Sequence, residues 1–398
     1  MEMIDSKVWT GVQSLLDNYL KISADDYVVL LYTTDSSDSA VWVSTALEFR
    51  GIICKTVWMA PLWDKGFLAR LEPALPDPAE LRGRLVVLSF ERDTMSHAQV
   101  LAEAIAKYEK LQVFRAISAC SSLFSMALQP SPEELSARNT AILERLMGAK
   151  RLHITTESGS DLRVTLDPKH RWISNRGVAR PGAIAVLPAG EVATFPASIT
   201  GKLVADFAFN VNAITNRDAR LHEHPITIWV ENGRAINAEC DDPFVSQFIE
   251  EVFKVQCAFN VGELGFGTNF AVAEAIPLNS HINERRPGVH LGFGDHNQEN
   301  EVVGYQCGIH LDLIARGGKI WIDDEEAPFD LENFAPSTGL HPGITRDEDV
   351  FVGGKTVTVD LEIDDCCGVL SKTGGFRLFS QSTEGPGLFC RSGAESRS

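Results

Sequence analysis

The sequence lacks two features that would assign it to a large class of proteins. It has no lysine- or arginine-rich stripe, and its formal net charge of -18 argues against binding to a nucleic-acid backbone. It also has no apolar run long enough to cross a bilayer. The segment from Met1 to Asp5 shows no basic region followed by an apolar core, so we expect a cytoplasmic protein with no nucleic-acid partner and no membrane partner.

Cysteine pairs of the Cys-x-x-Cys type are absent as well. The cysteines are scattered, which is typical of reduced, mostly buried thiols rather than of a zinc knuckle or a disulfide framework. They are Cys54, Cys120, Cys240, Cys257, Cys307, Cys366, Cys367 and Cys390. The adjacent pair Cys366 and Cys367 has no explanation in the sequence.

The composition is that of an ordinary globular chain: 398 residues, 44% hydrophobic and 23% charged, can form two or three domains. Roughly the first 130 residues alternate β-branched runs with helical patterns, which is typical of βαβ units around a parallel sheet. The loop at residues 33–39 has no glycine, so no nucleotide phosphate cradle is expected there. We predict a Rossmann-like α/β domain over residues 1–150, closed by a helix that starts at a capping box, Ser131 to Glu134.

Beyond residue 150 the pattern changes to antiparallel strands. Asn232-Gly233 between two alternating runs is a strong hairpin signal. We predict a mostly antiparallel, β-rich metal-binding catalytic domain over residues 151–325. A C-terminal extension over residues 326–398 should pack on that domain, form a hairpin at Gly353-Gly354 and fray at its end.

His310 and Asp312 stand two positions apart in the apolar, strand-like segment 308–314. Alternate residues of a strand point to the same face, so the imidazole and the carboxylate can converge on one point. A divalent cation would hold both groups and offset the cost of burying them. The solvated face of an edge strand would also explain the pair, so other segments must supply further ligands.

Three other segments carry candidate ligands. Glu191 follows a glycine in a loop, and Glu263 lies among three glycines that allow close approach of the backbone. His290 lies in an apolar strand that is followed by a polar turn with His296 and Asn297. Taken singly, Glu191 is more simply explained as a surface carboxylate, Glu263 as part of a bent strand and His290 as a core histidine.

Taken together, the order and spacing of these segments over residues 187–322 resemble the thermophilic aminopeptidase family, which includes aminopeptidases T, S and PepS. The resemblance implies a homodimer with an enclosed site that holds one or two divalent ions. The implied ligands are Glu191, Glu263, His290, His310 and Asp312. Imidazole and carboxylate ligands suit manganese, zinc, cobalt or iron(II). The family usually has a tyrosine where this chain has Asn297, so we expect different chemistry.

Two divergent kinds of relative are also similar: the iron-dependent 2,5-dihydroxypyridine dioxygenases and the metal-dependent aminohydrolase of 5-nitroanthranilate. The dioxygenases share the His-x-Asp pair but have a histidine near the position of Glu263, so Glu263 favours hydrolysis. We therefore predict an aromatic amine aminohydrolase, active in aromatic compound degradation, in which metal-activated water releases ammonia or an amine from a small substrate. A ring-cleaving Fe(II) dioxygenase, a metallo-aminopeptidase and a metal-free scaffold are the alternatives.

Individual roles follow from residue chemistry. Glu263, His310 and Asp312 would hold the principal ion. Glu191 and His290 would complete a second ion site or act as base and substrate contacts. The candidate proton donors to a leaving amine are Glu191, His290 and His296. An arginine, Arg285 or Arg286, would clamp a carboxylate or nitro group unless its loop is simply solvated, and Asn297 would orient the substrate through hydrogen bonds.

Overall fold

The computed structural model describes residues 5–92, 95–178 and 184–342, and the segments 350–352, 355–356, 368–370 and 376–378. Its helices are α1 (Ser6–Ser14), α2 (Ser37–Phe49), α3 (Phe67–Leu71), α4 (Ala98–Ile105), α5 (Pro132–Leu146), α6 (Pro243–Phe253), α7 (His281–Glu284) and α8 (Asn300–Val303). Short 3₁₀ and π-helical turns cover Leu15–Tyr19, Thr34–Ser36, Glu72–Ala74, Pro78–Glu80, Leu123–Ala127 and Gln256–Phe259. Among the described residues, no helix is both long and apolar enough to span a membrane.

The strands alternate with helices in the first third of the chain and then follow one another almost without interruption. The first eleven are β1 (Tyr27–Tyr32), β2 (Ile53–Trp58), β3 (Leu85–Phe90), β4 (Leu111–Ala116), β5 (Arg151–Thr155), β6 (Asp161–Thr165), β7 (Arg171–Asn175), β8 (Ile184–Leu187), β9 (Glu191–Thr194), β10 (Ser198–Ala205) and β11 (Ala208–Val211). The others are β12 (Ile226–Glu231), β13 (Arg234–Glu239), β14 (Val261–Gly267), β15 (Gly288–Gly294), β16 (His310–Ile314), β17 (Lys319–Ile322), β18 (Phe329–Asp330), β19 (Val350–Val352), β20 (Lys355–Thr356), β21 (Gly368–Leu370) and β22 (Phe376–Leu378).

A parallel five-stranded sheet, in the order β2-β1-β3-β4-β8, forms the first layer. Every residue of β3 is buried, as expected when helices cover both faces of a parallel sheet. This confirms the predicted α/β architecture. The fifth strand, β8, comes from residues 184–187, which the sequence analysis did not assign to the sheet, because four residues are too few to show a periodicity. The boundary at residue 150 stays a prediction, and β8 crosses it.

Strands β21 and β22 pair as a separate two-stranded sheet, and β5–β7 and β9–β20 form two large antiparallel sheets that share one apolar core. Their orders are β13-β12-β10-β6-β5-β17-β18 and β11-β16-β15-β14-β9-β7-β19-β20. The predicted hairpin of β12 and β13 is confirmed, with Asn232 and Gly233 at φ 49° and 77°, as a two-residue turn of this hand requires. In the C-terminal extension, β19 and β20 pair as a hairpin, and the Gly353-Gly354 turn between them lies outside the described residues.

Helix α5 connects the two parts of the fold. Its predicted capping box is present: Glu134 N–H donates to Ser131 Oγ at 3.2 Å, and Ser131 N–H donates to Glu134 Oε2 at 2.7 Å. The start of the C-terminal extension runs along this helix, where Arg138 Nη1 donates to the Phe334 carbonyl at 3.0 Å and Ser337 N–H to the Ala137 carbonyl at 2.9 Å. These residues of the extension thus pack on the helix that joins the layers.

The expectation of reduced cysteines is wrong for one pair. Cys257 and Cys307 form a disulfide with their Cα atoms 5.6 Å apart, although 50 positions separate them in sequence. Spacing could not reveal the pair, because only the pairing of β14, β15 and β16 brings the two thiols together. Cys54, Cys120 and Cys240 are free thiols. Cys366, Cys367 and Cys390 lie outside the described residues.

A buried ion pair anchors the start of the parallel sheet. The side chain of Asp26 is 1% exposed and lies 2.6 Å from Arg84 Nη2. Asp26 also accepts hydrogen bonds from the Ser23 and Arg84 backbone N–H groups, both at 2.9 Å. Burial alone would raise the pKa of Asp26, but these hydrogen bonds outweigh burial and hold it below its ordinary value of 3.8.

Replacing Asp26 by asparagine should therefore lower stability in a pH-dependent way. Because the folded pKa is depressed, the carboxylate stabilises the fold above about pH 4, and that contribution is lost as the pH falls through the folded pKa. We expect a loss of about 1–3 kcal/mol near pH 7, since Arg84 remains one-third exposed. Urea unfolding of Asp26→Asn near pH 7 and near pH 3 measures this loss of unfolding free energy. The same change at the exposed residue Asp25 is the control. A deficit that persists unchanged near pH 3 would contradict this account.

Candidate metal centre

Four adjacent strands of the eight-stranded sheet carry the predicted ligands. Glu191 opens β9, Glu263 lies in β14, His290 in β15, and His310 and Asp312 in β16. These strands are neighbours in the order β16-β15-β14-β9, so side chains far apart in sequence meet on one face. The structure thus brings together all five of the predicted ligands.

Glycines opposite the ligands make the room that the imidazole rings need. Gly265 pairs with His290, and a Cβ at Gly265 would collide with His290 Nε2. Gly292 lies between Glu263 on one side and Asp312 on the other, and a Cβ there would stand 2.7 Å from His310 Cε1 and 2.9 Å from Glu263 Cβ. The glycines that the sequence shows around Glu263 and His290 are therefore part of the site.

The ligand atoms form two clusters that share Glu263. One consists of Glu191, Glu263 and His290, and the other of Glu263, His310 and Asp312, with the ligand atoms of each cluster within 4.8 Å of one another. In the second cluster, His310 Nε2 lies 3.1 Å from Asp312 Oδ1. His310 Nδ1 lies 3.1 Å from the Asp295 carbonyl, and if it donates its proton there, Nε2 is free to bind a cation.

His290 is fully buried, yet among the described residues neither of its ring nitrogens has a partner in hydrogen-bond geometry. Its Nε2 lies 2.9 Å from Glu191 Oε1 and 3.6 Å from Glu263 Oε1. Burial lowers the pKa of His290, but these two carboxylates more than offset burial and raise it to about 10. A buried imidazole held between carboxylates without a completed hydrogen bond fits a site built for a cation.

The second cluster shows the same electrostatic pattern. Burial lowers the pKa of His310, but Asp312 raises it well above its ordinary value. Burial raises the pKa of Asp312, but His310 holds it well below its usual range. Burial also raises the pKa of Glu263. Protons on the imidazoles therefore balance the carboxylates, and a bound divalent ion would displace them. The donor set fits a divalent ion.

Two neighbours of the clusters, Glu284 and Arg285, are 4% and 3% exposed. Burial raises the pKa of Glu284 well above its ordinary value, and its carboxyl group hydrogen-bonds Asp312. Asn210 Nδ2 donates to Glu284 Oε2 at 3.0 Å. The sequence analysis missed Glu284, because the four-residue helix α7 that carries it is too short to show a pattern.

The other predicted residues divide between the clusters and their surroundings. Asn297 Nδ2 reaches Glu263 Oε2 at 3.4 Å, so this side chain contacts the ligand set. His296 instead turns its Nε2 to the Tyr305 carbonyl at 2.8 Å. Arg286 pairs with Glu332 at 2.6 Å. The substrate and proton-transfer roles predicted for these residues stay predictions.

His281, at the start of α7, also lies near the clusters. Its pKa is lowered to about 3, first by burial and then by the charge of Arg285, so its imidazole is neutral. Its backbone N–H donates to Ser118 Oγ at 3.1 Å, just beyond the end of β4 in the parallel sheet. The sequence analysis did not assign His281 a role, since an isolated histidine ahead of two arginines carries no specific signal.

Residues 82–328 match the family model of NicX, 2,5-dihydroxypyridine 5,6-dioxygenase. The chain belongs to this family. The match covers more than half of the sequence and includes all five residues of the two clusters. The sequence analysis predicted a relationship to a superfamily that includes aminopeptidases and 2,5-dihydroxypyridine dioxygenases. The family match confirms that relationship. No curated protein matches the sequence.

The solved structures that share the fold include two enzymes from different bacteria. The 2,5-dihydroxypyridine dioxygenase of Pseudomonas putida KT2440 is 15% identical, with a TM-score of 0.56 over 84% of this chain and 99% of the other. Wild-type AmpT of Thermus thermophilus is 13% identical, with a TM-score of 0.53 over 83% of this chain and 99% of the other. At these identities the similarity shows the fold alone, and it confirms an α/β layer combined with antiparallel sheets.

Proposed function

We propose that this protein is a divalent-metal enzyme that opens the ring of a small hydroxylated aromatic or heteroaromatic substrate with dioxygen. The observation that carries the proposal is the family match over residues 82–328, which spans the complete ligand set. It outweighs the preference for hydrolysis that the sequence analysis drew from Glu263 alone. The predicted homodimer and cytoplasmic location accompany this proposal as predictions.

In this proposal Glu263, His310 and Asp312 would hold the ion, and the substrate would bind beside it. A bound ferrous ion would supply the redox chemistry that a reaction with dioxygen requires. Asn297 holds Glu263 Oε2 and so orients this ligand. The pair of His290 and Glu191, 2.9 Å apart and buried, carries a proton on His290 and is placed to donate it to a substrate oxygen.

One observation favours a second candidate, hydrolysis of an aromatic amine. The cluster of Glu263, His310 and Asp312 contains two carboxylates and one imidazole, whereas non-haem iron oxygenases commonly use two histidines and one carboxylate. A carboxylate-rich set suits manganese and the activation of water. In that case the same His290–Glu191 pair would deliver a proton to the leaving amine.

Oxygen consumption separates the two candidates. Protein prepared without oxygen and loaded with Fe²⁺ or Mn²⁺ is mixed with dihydroxypyridines, hydroxybenzoates and aminobenzoates, while dissolved O₂, ring absorbance and ammonia are followed. We expect ring absorbance to fall with matched O₂ uptake in the Fe²⁺ form, and His310→Ala to show neither change. Ammonia release without O₂ uptake would replace the proposal by hydrolysis. Failure of the purified protein to bind either metal would contradict both.

A further inference from the structure

We propose that Arg285 takes the place of a second cation and so restricts the centre to one divalent ion, held by Glu263, His310 and Asp312. The inference rests on the metal centre of the proposed function and concerns how many ions it accepts. It assigns to Arg285 a role different from the substrate clamp that the sequence suggested.

The carboxylates and imidazoles alone offer places for two ions. Each cluster contains three ligand atoms within 4.8 Å of one another, and Glu263 belongs to both. Such an arrangement, with one carboxylate between two sets of ligands, is the geometry of a bridged pair of metal ions. Some other feature must therefore decide whether the place beside Glu191 and His290 is filled.

The guanidinium of Arg285 is held next to the possible second ion position beside Glu191 and His290. Its Nη1 makes ion pairs with Glu191 Oε2 and with Glu284 Oε1, the second at 2.8 Å. Its Nε donates to the Pro188 carbonyl at 2.9 Å, so the main chain also holds the guanidinium. With 3% of its surface exposed, the side chain has no solvent into which it could swing.

Both oxygens of Glu191 are therefore engaged. Oε2 pairs with Arg285, and Oε1 faces His290 Nε2 at 2.9 Å. A second ion would need one of these oxygens and would then lie next to a buried positive charge with little water to screen it. Arginine stays protonated at any ordinary pH, so this positive charge is permanent.

The two clusters therefore have different functions in this proposal. Among the described residues no arginine forms an ion pair with Glu263, His310 or Asp312, so this cluster accepts the ion. Glu191 and His290 remain as a buried acid–base pair beside that ion, available to the substrate. A neutral residue at position 285 would remove the obstacle and leave Glu191, Glu263 and His290 to bind a second ion.

The test is the number of Mn²⁺ ions per chain. Metal-free protein is equilibrated with excess Mn²⁺, and the bound metal is measured by mass spectrometry and electron paramagnetic resonance. We expect one ion with an isolated-ion spectrum for the wild type and for the charge-conserving Arg285→Lys. For Arg285→Gln we expect the bound metal to double and the spectrum to broaden through coupling of two ions bridged by Glu263.

Two Mn²⁺ ions in the wild type, or one in a folded Arg285→Gln, would overturn the inference and leave the proposed function intact. If Arg285→Gln does not fold, Glu191→Gln takes its place. Glu191→Gln should keep one ion, because Glu191 is not a ligand in this arrangement, and loss of that ion would overturn the inference. A wild type that binds no metal would overturn the metal centre and the inference together.

Discussion

Replacing Glu263 by glutamine should abolish binding of the divalent ion, because this carboxylate is common to both clusters of ligand atoms. The amide keeps the size of the side chain but offers one neutral oxygen in place of the carboxylate. Substitutions that merely support a ligand typically weaken metal affinity 10–100-fold, so we expect the loss of a ligand to cost about 100-fold or more. Calorimetric titration with Mn²⁺ and metal analysis of the purified variant measure the effect.

The control for Glu263→Gln is the same change at Glu301, an exposed residue of helix α8. Glu301→Gln should bind metal like the wild type. His310→Ala provides an independent test, since it removes the only imidazole from the cluster that we assign to the ion. Retention of metal by both Glu263→Gln and His310→Ala would show that the ion binds elsewhere.

Adding a methyl group at Gly265 should disrupt the site without changing any ligand. The new Cβ would collide with Nε2 of His290, which is fully buried and has no space to retreat. Overpacking of this kind costs about 1–3 kcal/mol or more, so we expect a lower unfolding midpoint for Gly265→Ala. The displaced ring would also separate from Glu191, and turnover should fall.

The control for this substitution is Gly148→Ala, where a Cβ would meet no atom within 4 Å. Its stability should stay within about 0.5 kcal/mol of the wild type. The collision can be tested directly by combining Gly265→Ala with His290→Ala, which removes the ring. If the two changes are strongly non-additive, so that the double variant loses less stability than the sum, steric conflict is the cause. Simple additivity would contradict it.

Local sequence patterns predicted part of the candidate ligand set, and the resemblance to the aminopeptidase family supplied the rest. His310 and Asp312 occupy alternate positions of an apolar strand, and glycines surround Glu263. The same local patterns predicted helix α5 with its capping box and the hairpin at Asn232-Gly233, all of which the structure contains.

Features that depend on contacts between distant segments were not predicted. Asp312 contacts Glu284, in addition to His310, only because helix α7 packs on the sheet beside β11 and β16. The disulfide between Cys257 and Cys307 likewise needs three strands to be paired before the thiols meet.

The resemblance to the aminopeptidase family supplied the set of five candidate ligands, whereas the sequence by itself determined the order of elements and the parallel and antiparallel regions. These follow from periodicity, turn chemistry and residue type, which act over a few neighbouring positions. Only the tertiary structure decided that Glu263 is common to two clusters and that Arg285 is buried against one of them. Charges interact through space and are strengthened by burial, so the environment of a carboxylate is known only once the residues around it are in place.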